Sequence, residues 1–549
     1  MRGDDCHLPG SDHMFCFQCQ ETAGGQGCTK AGVCGKDAST AELQDLLVYL
    51  LKGLSIRNLS AAKAGKGRDD VGIFVAERLF ETLTNVNFDP AYFQDIIYKT
   101  LLLRDSLPPA GTDETDACTW KPAAAEDLAS KAATVGVLST ENEDVRSLQQ
   151  ILICGLKGLG AYYHHAAVLG KRDAEIETFI QEALASTLQD LSAQDMTAWV
   201  LRCGSTGVKA LALLDQANTE AYGKPEITSV STKAGDRPGI LISGHDLKDL
   251  AMLLEQTKGS GVDVYTHGEM LPAHAYPYFK RYDNLVGNYG GSWPLQREEF
   301  EQFNGPILMT TNCLVPPRES YATRVYTTGP VGFPGLKHIP TGPDGNKDFN
   351  PVIEQARLSA PPKNLEDGTV ITGCAHDAVL ALADEVIGAI KGGAIRRFVV
   401  MAGCDGRHKS RDYYARFAQA LPSDTVILTA GCAKYRYNRL PLGEIGGIPR
   451  LLDAGQCNDC YSLVAVAQAL AGALGMGINE LPISYNIAWF EQKAVLVLLA
   501  LLSLGVKDIT LGPSLPAFVS PGVLKVLVES FDIKPQTTVE ADLKRMVPA

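Results

Sequence analysis

The chain has 549 residues, enough for several domains, and its 45% apolar and 21% charged content is that of an ordinary globular protein. A net charge of −13 with no basic run to offset it excludes a phosphate-backbone partner, because nucleic-acid binders present a basic face. The longest apolar run, AVLVLLALLSLGV at 494–506, is too short to span a bilayer and reads as a buried core helix.

The first thirteen residues, MRGDDCHLPGSDH, are acidic and lack the apolar segment of a secretory signal, so the working start is expected near Met14 and the setting is expected to be cytoplasmic. In a reducing compartment the 14 cysteines are poor disulfide candidates, and clustered thiols point to metal or redox work. One cluster comes at once. In CFQCQETAGGQGCTKAGVCG, Cys16, Cys19, Cys28 and Cys34 are separated by two, eight and five residues, and only small or polar residues fill most of the gaps. Zinc favours two closely spaced pairs, whereas an iron–sulfur cluster accepts a compact glycine-rich loop whose N–H groups face the sulfurs. Spacing alone ranks iron–sulfur first and leaves zinc and free thiols open.

The next two hundred residues have helical spacing and contain a repeat. Residues 51–83 align with 156–188 at a constant offset of 105, without a gap and with thirteen identities, among them Lys52-Gly53-Leu54 with Lys157-Gly158-Leu159. Each copy reads as a helical hairpin in a small bundle, with the two bundles joined around the Pro/Asp/Thr-rich stretch 107–123.

Beyond residue 222, short β-rich runs alternate with helical segments, which predicts α/β structure with mainly parallel sheets. The runs are GILIS (239–243), VDVYT (262–266), PILMT (306–310), RFVVMA (397–402), TVILT (425–429) and DITLG (508–512). A Gly/Pro-rich region at 329–367 and a helical pattern at 377–391 place a boundary near 377. The expected organisation is therefore a helical part at 1–222 and α/β parts at 223–377 and 378–549.

The residues just past the strands carry the chemistry. GILIS leads to His245, VDVYT to Glu269, PILMT to Cys313, RFVVMA to Cys404 and TVILT to Cys432; AGQCNDC adds Cys457 and Cys460, and ISYNIAWFEQK adds Glu491 and Lys493. Open α/β sheets bind ligands beyond the carboxyl ends of their strands. Taken singly, each residue has a plainer reading: a buried small hydrophobe for a Gly-Cys, a helix cap beside a bystander imidazole for Gly-His-Asp, and a solvated or paired charge for Glu269, Glu491 and Lys493. Repetition at equivalent points favours a metal site, and mixed sulfur, imidazole and carboxylate donors suit a cluster with sulfide and oxygen ligands.

With these motifs in view, the chain from Met14 onward closely resembles the hybrid cluster proteins, also called prismane proteins or hydroxylamine reductases. The resemblance rests on the Cys16-x2-Cys19-x8-Cys28-x5-Cys34 spacing, then GHD, HGEM, TNCL, GCDGR, GCAKYR, GQCND and WFEQKA in that order. It implies an N-terminal helical domain of two three-helix bundles followed by two Rossmann-like α/β domains, and the repeat marks the full-length form. It further implies a 4Fe-4S cluster on Cys16, Cys19, Cys28 and Cys34, and a hybrid 4Fe-2O-2S cluster on His245, Glu269, Cys313, Cys404, Cys432, Cys457 and Glu491. Cys404 matches the cysteine that the family carries as a persulfide when oxidised. Cys6, Cys118, Cys154, Cys203, Cys374 and Cys460 match no family position of known role.

The activity implied is reduction of hydroxylamine to ammonia and water, with reduction of nitric oxide to nitrous oxide also linked to the family. Glu269 and Glu491 are expected to shift during turnover, and Lys493 is a candidate proton donor or charge balance. A ferredoxin-like protein or a reductase is the expected electron donor, and a monomer is expected. Three rivals stand beside this reading. A carbon monoxide dehydrogenase would carry further N-terminal cysteine sets. A nitric-oxide sensor or protein transnitrosylase would show only stoichiometric turnover. A zinc-stabilised α/β protein would hold zinc without iron.

Overall fold

The computed structural model describes residues 14–548, so the first thirteen residues, Cys6 among them, lie outside the described residues. The N-terminal part is built from α1 (Ala38–Lys63), α2 (Asp69–Glu81), α3 (Pro90–Asp105), α4 (Glu143–Val168), α5 (Ala174–Ser186) and α6 (Ala193–Tyr222). Asp37, Asp89, Asn142, Asp173 and Ser192 start five of these helices by accepting hydrogen bonds from otherwise unpaired first-turn amides.

The repeat corresponds to the second half of α1 with α2, and of α4 with α5. The two hairpins are not separate, as a simple reading of the repeat suggests; they interlock. Asn58 on α1 donates to Gln181 on α5 at 2.8 Å, and Arg172, just before α5, donates to the Asp69 carbonyl of α2 at 2.6 Å. Gly160 on α4 lies against the Ala76 carbonyl of α2. The physical reason is burial. A lone hairpin cannot cover two apolar faces, whereas the exchange leaves Val75, Leu79 and Phe80 of α2, and Ile180 and Leu184 of α5, with no exposed surface.

Two six-stranded sheets come next, and every pairing within them is parallel. The first contains β1 (Gly239–Ser243), β2 (Asp263–His267), β3 (Leu285–Asn288), β4 (Ile307–Met309), β5 (Val325–Thr328) and β6 (Lys337–Ile339), in the order β3-β2-β1-β4-β5-β6. The second contains β7 (Arg397–Val400), β8 (Thr425–Thr429), β9 (Leu451–Asp453), β10 (Ile483–Ala488), β11 (Ile509–Gly512) and β12 (Lys534–Pro535), in the order β9-β8-β7-β10-β11-β12. Both are doubly wound, and in each the order reverses between its first and fourth strands, the point where such sheets open a crevice. Residues 228–231 pair antiparallel with 369–372.

The apolar run near 494 is α7 (Gln492–Ser503), and it is wedged between α4 and α6. Glycines make that approach possible. A Cβ on Gly158 would stand 2.7 Å from the Gln492 carbonyl, and one on Gly204 would overlap the Leu499 carbonyl. Gly204→Ala is therefore expected to cost about 1–3 kcal/mol through overpacking, read as a lower urea midpoint. Among the described residues no helix is long and apolar enough to cross a membrane.

His274 lies buried beneath β2 with its Nε2 3.0 Å from Thr266 Oγ1, and burial pushes its pKa down from 6.5 to about 4. Between those values the unfolded chain takes up a proton that the folded chain refuses, so stability falls as pH drops through that window. The full difference is about 3 kcal/mol by the pKa–energy conversion. Urea titrations at pH 7 and 4.5 should show the loss, and His274→Gln should flatten it.

Candidate functional site

The strand ends of both sheets converge on one interior cavity. His245, Glu269, Cys313, Cys404, Cys432, Cys457, Glu491 and Lys493 all line it, with Asn312, Thr84, Trp293 and Phe490. The four residues that follow the reversal strands β1, β4, β7 and β10 are His245, Cys313, Cys404 and Glu491; Glu269, Cys432 and Cys457 follow β2, β8 and β9. Topology alone puts them on a common edge.

His245 is 3% exposed, and Thr311 Oγ1 holds both its amide (2.9 Å) and its Nδ1 (3.1 Å). That leaves Nε2 facing the cavity, 3.0 Å from Lys493 Nζ and 3.4 Å from Cys457 Sγ. Burial and the Lys493 ammonium push its pKa down to about 4, so the ring is neutral with a lone pair to offer. The next residue, Asp246, caps the helix Leu247–Thr257, as the plainer reading of Gly-His-Asp expects, while the imidazole beside it lines the cavity.

Glu269 Oε2 accepts the Cys457 amide at 2.7 Å, while its Oε1 is buried with no hydrogen-bond partner. Burial would raise this carboxyl, but the His245 contact with the Lys434 and Lys493 ammoniums outweighs it and holds the pKa at about 2. His267, in the same HGEM motif, turns away to Ser243 and Glu299 and is structural.

Cys313 sits at φ 74°, a left-handed conformation that a non-glycine residue adopts at a cost and that clusters at functional sites. Before Cys404, Gly403 has φ 115° and presses on the Ala488 carbonyl, bringing the loops after β7 and β10 together. Cys432 Sγ accepts the Asp405 amide at 3.0 Å. Burial pushes the Cys404 thiol up to about 12 and raises Cys313, Cys432 and Cys457 as well. Such thiols become thiolates when a metal ion takes the place of the proton.

Glu491 caps α7, its Oε2 accepting the Lys493 amide at 2.7 Å, and its Oε1 is 3.4 Å from Asn312 Nδ2. Burial raises its pKa against the pull of Lys493. Lys493 is not the solvated lysine of the plainer reading. It is 2% exposed, and Nζ donates to Asn312 Oδ1 at 3.0 Å and stands 3.6 Å from Glu491.

Cys16 and Cys28 face each other across an antiparallel bridge, and the Ala23 amide points at Cys28 Sγ at 3.4 Å. Burial raises the Cys19 thiol, and the nearby Cys16, Cys34 and Cys28 sulfurs raise it further. The buried Lys36 ammonium opposes the same effect at Cys16. The loop is tied to the cavity wall, with the Gln20 amide donating to the Phe490 carbonyl at 2.9 Å and Gln492 Nε2 to the Gln18 carbonyl at 3.1 Å.

Sequence reasoning missed Tyr162 and His165, two buried side chains of α4 near the cavity. His165 Nε2 has no hydrogen-bond partner and its ring stacks 6.2 Å from that of His245, while the Tyr162 hydroxyl interacts with the Cys457 sulfur. At the offset of 105 they oppose Arg57 and Ser60, so divergence between the two copies was the available signal.

The donors fit iron. Thiols, an imidazole and carboxylates meet in one cavity, His245, Glu269 and Cys457 offer donor atoms within 4.8 Å of one another, and a carboxylate oxygen is left unpaired.

Comparison with known proteins gives the family and the fold. The chain is 60% identical to a hydroxylamine reductase of Methanosarcina mazei over 97% of its length and 99% of the relative's. It is 58% identical to one of Nitratidesulfovibrio vulgaris over 97% and 100%. Among solved structures, a carbon monoxide dehydrogenase from Thermococcus sp. AM4 superposes with a TM-score of 0.54 at 19% identity, covering 96% of this chain and 90% of that one. Carbon monoxide dehydrogenase IV from Carboxydothermus hydrogenoformans gives the same score at 17% identity, covering 94% and 88%. These two likenesses are of fold alone. The Prismane/CO dehydrogenase family model matches residues 14–544, and with two doubly wound sheets closing on a cysteine-lined cavity, the chain belongs to that family of iron–sulfur proteins.

Proposed function

We propose that this protein is a hydroxylamine reductase: NH2OH, two electrons and two protons give NH3 and H2O. The observation that carries the reading is the convergence of seven donors from seven strand ends on one buried cavity, beside a separate cysteine loop bonded to its wall. Cys16, Cys19, Cys28 and Cys34 would hold a 4Fe-4S cluster. His245, Glu269, Cys313, Cys404, Cys432, Cys457 and Glu491 would hold the 4Fe-2O-2S cluster. Within the three parts 1–222, 223–377 and 378–549, the first supplies the electron entry and the other two the reacting site.

When bound, the mixed-ligand cluster supplies an open metal face and stored electrons for N–O cleavage. The protein's own contribution is positioning and protons. Lys493 is the cation nearest the cavity, held by Asn312 between His245 and Glu491, and it offers a proton to an oxygen leaving as water. Trp293 and Phe490, with ring centroids 4.6 Å apart, cover the site and exclude bulk water. Glu269 Oε1, lacking a protein partner, is the carboxylate oxygen freest to shift. A ferredoxin-like protein or reductase in the cytoplasm would deliver the electrons.

Anaerobic purification with iron and sulfide counts tests this directly. About eight irons per chain are expected from two four-iron clusters, with a reduced signal that hydroxylamine reoxidises as ammonia forms. Zinc without iron, or no reoxidation, would sink the reading.

A further inference from the structure

Arg411 has no exposed surface, yet nothing in the chemistry above uses it. It ends the short turn Lys409–Arg411, seven residues beyond Cys404, and its guanidinium reaches three separate segments. Nη1 donates to the Cys404 carbonyl at 3.0 Å; Nη2 donates to the Trp489 carbonyl at 2.7 Å and to Gln20 Oε1 at 2.9 Å. Cys404 belongs to the cavity, Trp489 lies two residues before Glu491, and Gln20 follows Cys19.

Its charge has no carboxylate of its own. The nearby acids are engaged elsewhere, Glu21 with Arg407 at 2.8 Å and Asp405 with Arg436 at 2.8 Å, and Nε has no hydrogen-bond partner. A buried, unpaired guanidinium is costly unless other anionic groups offset it, and the thiol-bearing segments it bonds are where such charge would sit.

We infer that Arg411 is a positioning residue that couples the cysteine loop to the cavity for electron passage. The bridge it braces is short: Cys19 and Gln20, the Gln20 amide on the Phe490 carbonyl, then Glu491. Arg411 grips the Gln20 side chain on one side of that contact and the Trp489 carbonyl on the other. With both sites loaded and a reduced viologen as the source, a single electron would pass from the centre held by the loop to the centre held in the cavity. No proton or bond to substrate is involved. The inference rests on the proposed function only in requiring two redox centres.

The test uses the full chain, loaded anaerobically and mixed with limiting reduced methyl viologen. The readout is the first-order phase, independent of viologen concentration, in which the cavity centre's signal changes. In Arg411→Gln, iron, sulfide and both spectroscopic signatures should match the parent, while that phase slows at least about tenfold, the change a lost charge-assisted bond makes in an equilibrium between docked and undocked loop. Arg411→Lys should restore most of the rate, and Gln20→Ala, which leaves the arginine in place, should slow it too. An unchanged phase in both Arg411→Gln and Gln20→Ala overturns the inference and leaves the proposed function intact. Loss of iron in all three variants overturns it as well, making Arg411 a scaffold residue. Absence of iron from the parent overturns both.

Discussion

Glu491→Ala is expected to abolish hydroxylamine reduction, by about 10²-fold or more, while leaving the N-terminal centre's iron and reduced signal in place; even outer-shell partners of a metal site are worth 10- to 100-fold. The residue follows the reversal strand of the second sheet, is 4% exposed and shares the cavity with the six other donors. The substitution also removes the cap of α7, at about 1 kcal/mol. Glu491→Gln therefore serves as the companion, since its amide oxygen can still accept the Lys493 amide. If both variants lose cavity iron and turnover while the loop keeps its signal, the carboxylate acts as a ligand. Simultaneous loss of both signals would argue against two separate centres, and full activity in Glu491→Ala would exclude the residue.

Lys493→Met should cost both stability and turnover. The thioether chain fills a similar volume without the charge, leaving Glu491 and Glu269 buried beside a cation that is gone; breaking such a pair costs about 3–5 kcal/mol. A positioned proton donor contributes about 10²- to 10⁴-fold, and a loss of that size in ammonia formation is expected with cavity iron retained. The pH dependence comes from the surroundings. Burial would lower the Lys493 pKa, but Cys457, Glu491, Cys313 and Glu269 outweigh it and hold the ammonium above its ordinary 10.5. A raised folded pKa contributes stability that is fully present below the unfolded value and is lost only as pH rises through the higher folded one. Turnover measured from pH 7 to 10 should therefore show no alkaline limb from this lysine. A limb that disappears in Lys493→Met would show that the group titrates there.

Much of the candidate site was legible because the residues that line it are local punctuation. Each follows a short β-rich run, and strand ends are readable from composition and period; five of them pointed to a site before any contact was known. The loop Cys16–Cys34 was legible for the same reason, as a compact glycine-rich spacing. The edge strands Leu285–Asn288, Lys337–Ile339 and Lys534–Pro535 were not, being short and partly polar, with little apolar periodicity to register. Tyr162 and His165 left no more than a divergence between the repeat copies, and Arg411 left no signal, because the groups they meet lie far away along the chain.

By itself the sequence determined which Cys, His and Glu residues follow the strand-like runs, their order along the chain, the repeat and the alternation of helix and strand, since each of these is a local property of residue type and spacing. Tertiary structure alone decided that the two hairpins exchange their second helices, that α7 slides between glycines of α4 and α6, and that Lys493 faces inward. The reason is packing. Which apolar face a helix buries, and which charge is stranded by that burial, depends on the neighbour it meets, and no window of sequence contains the neighbour.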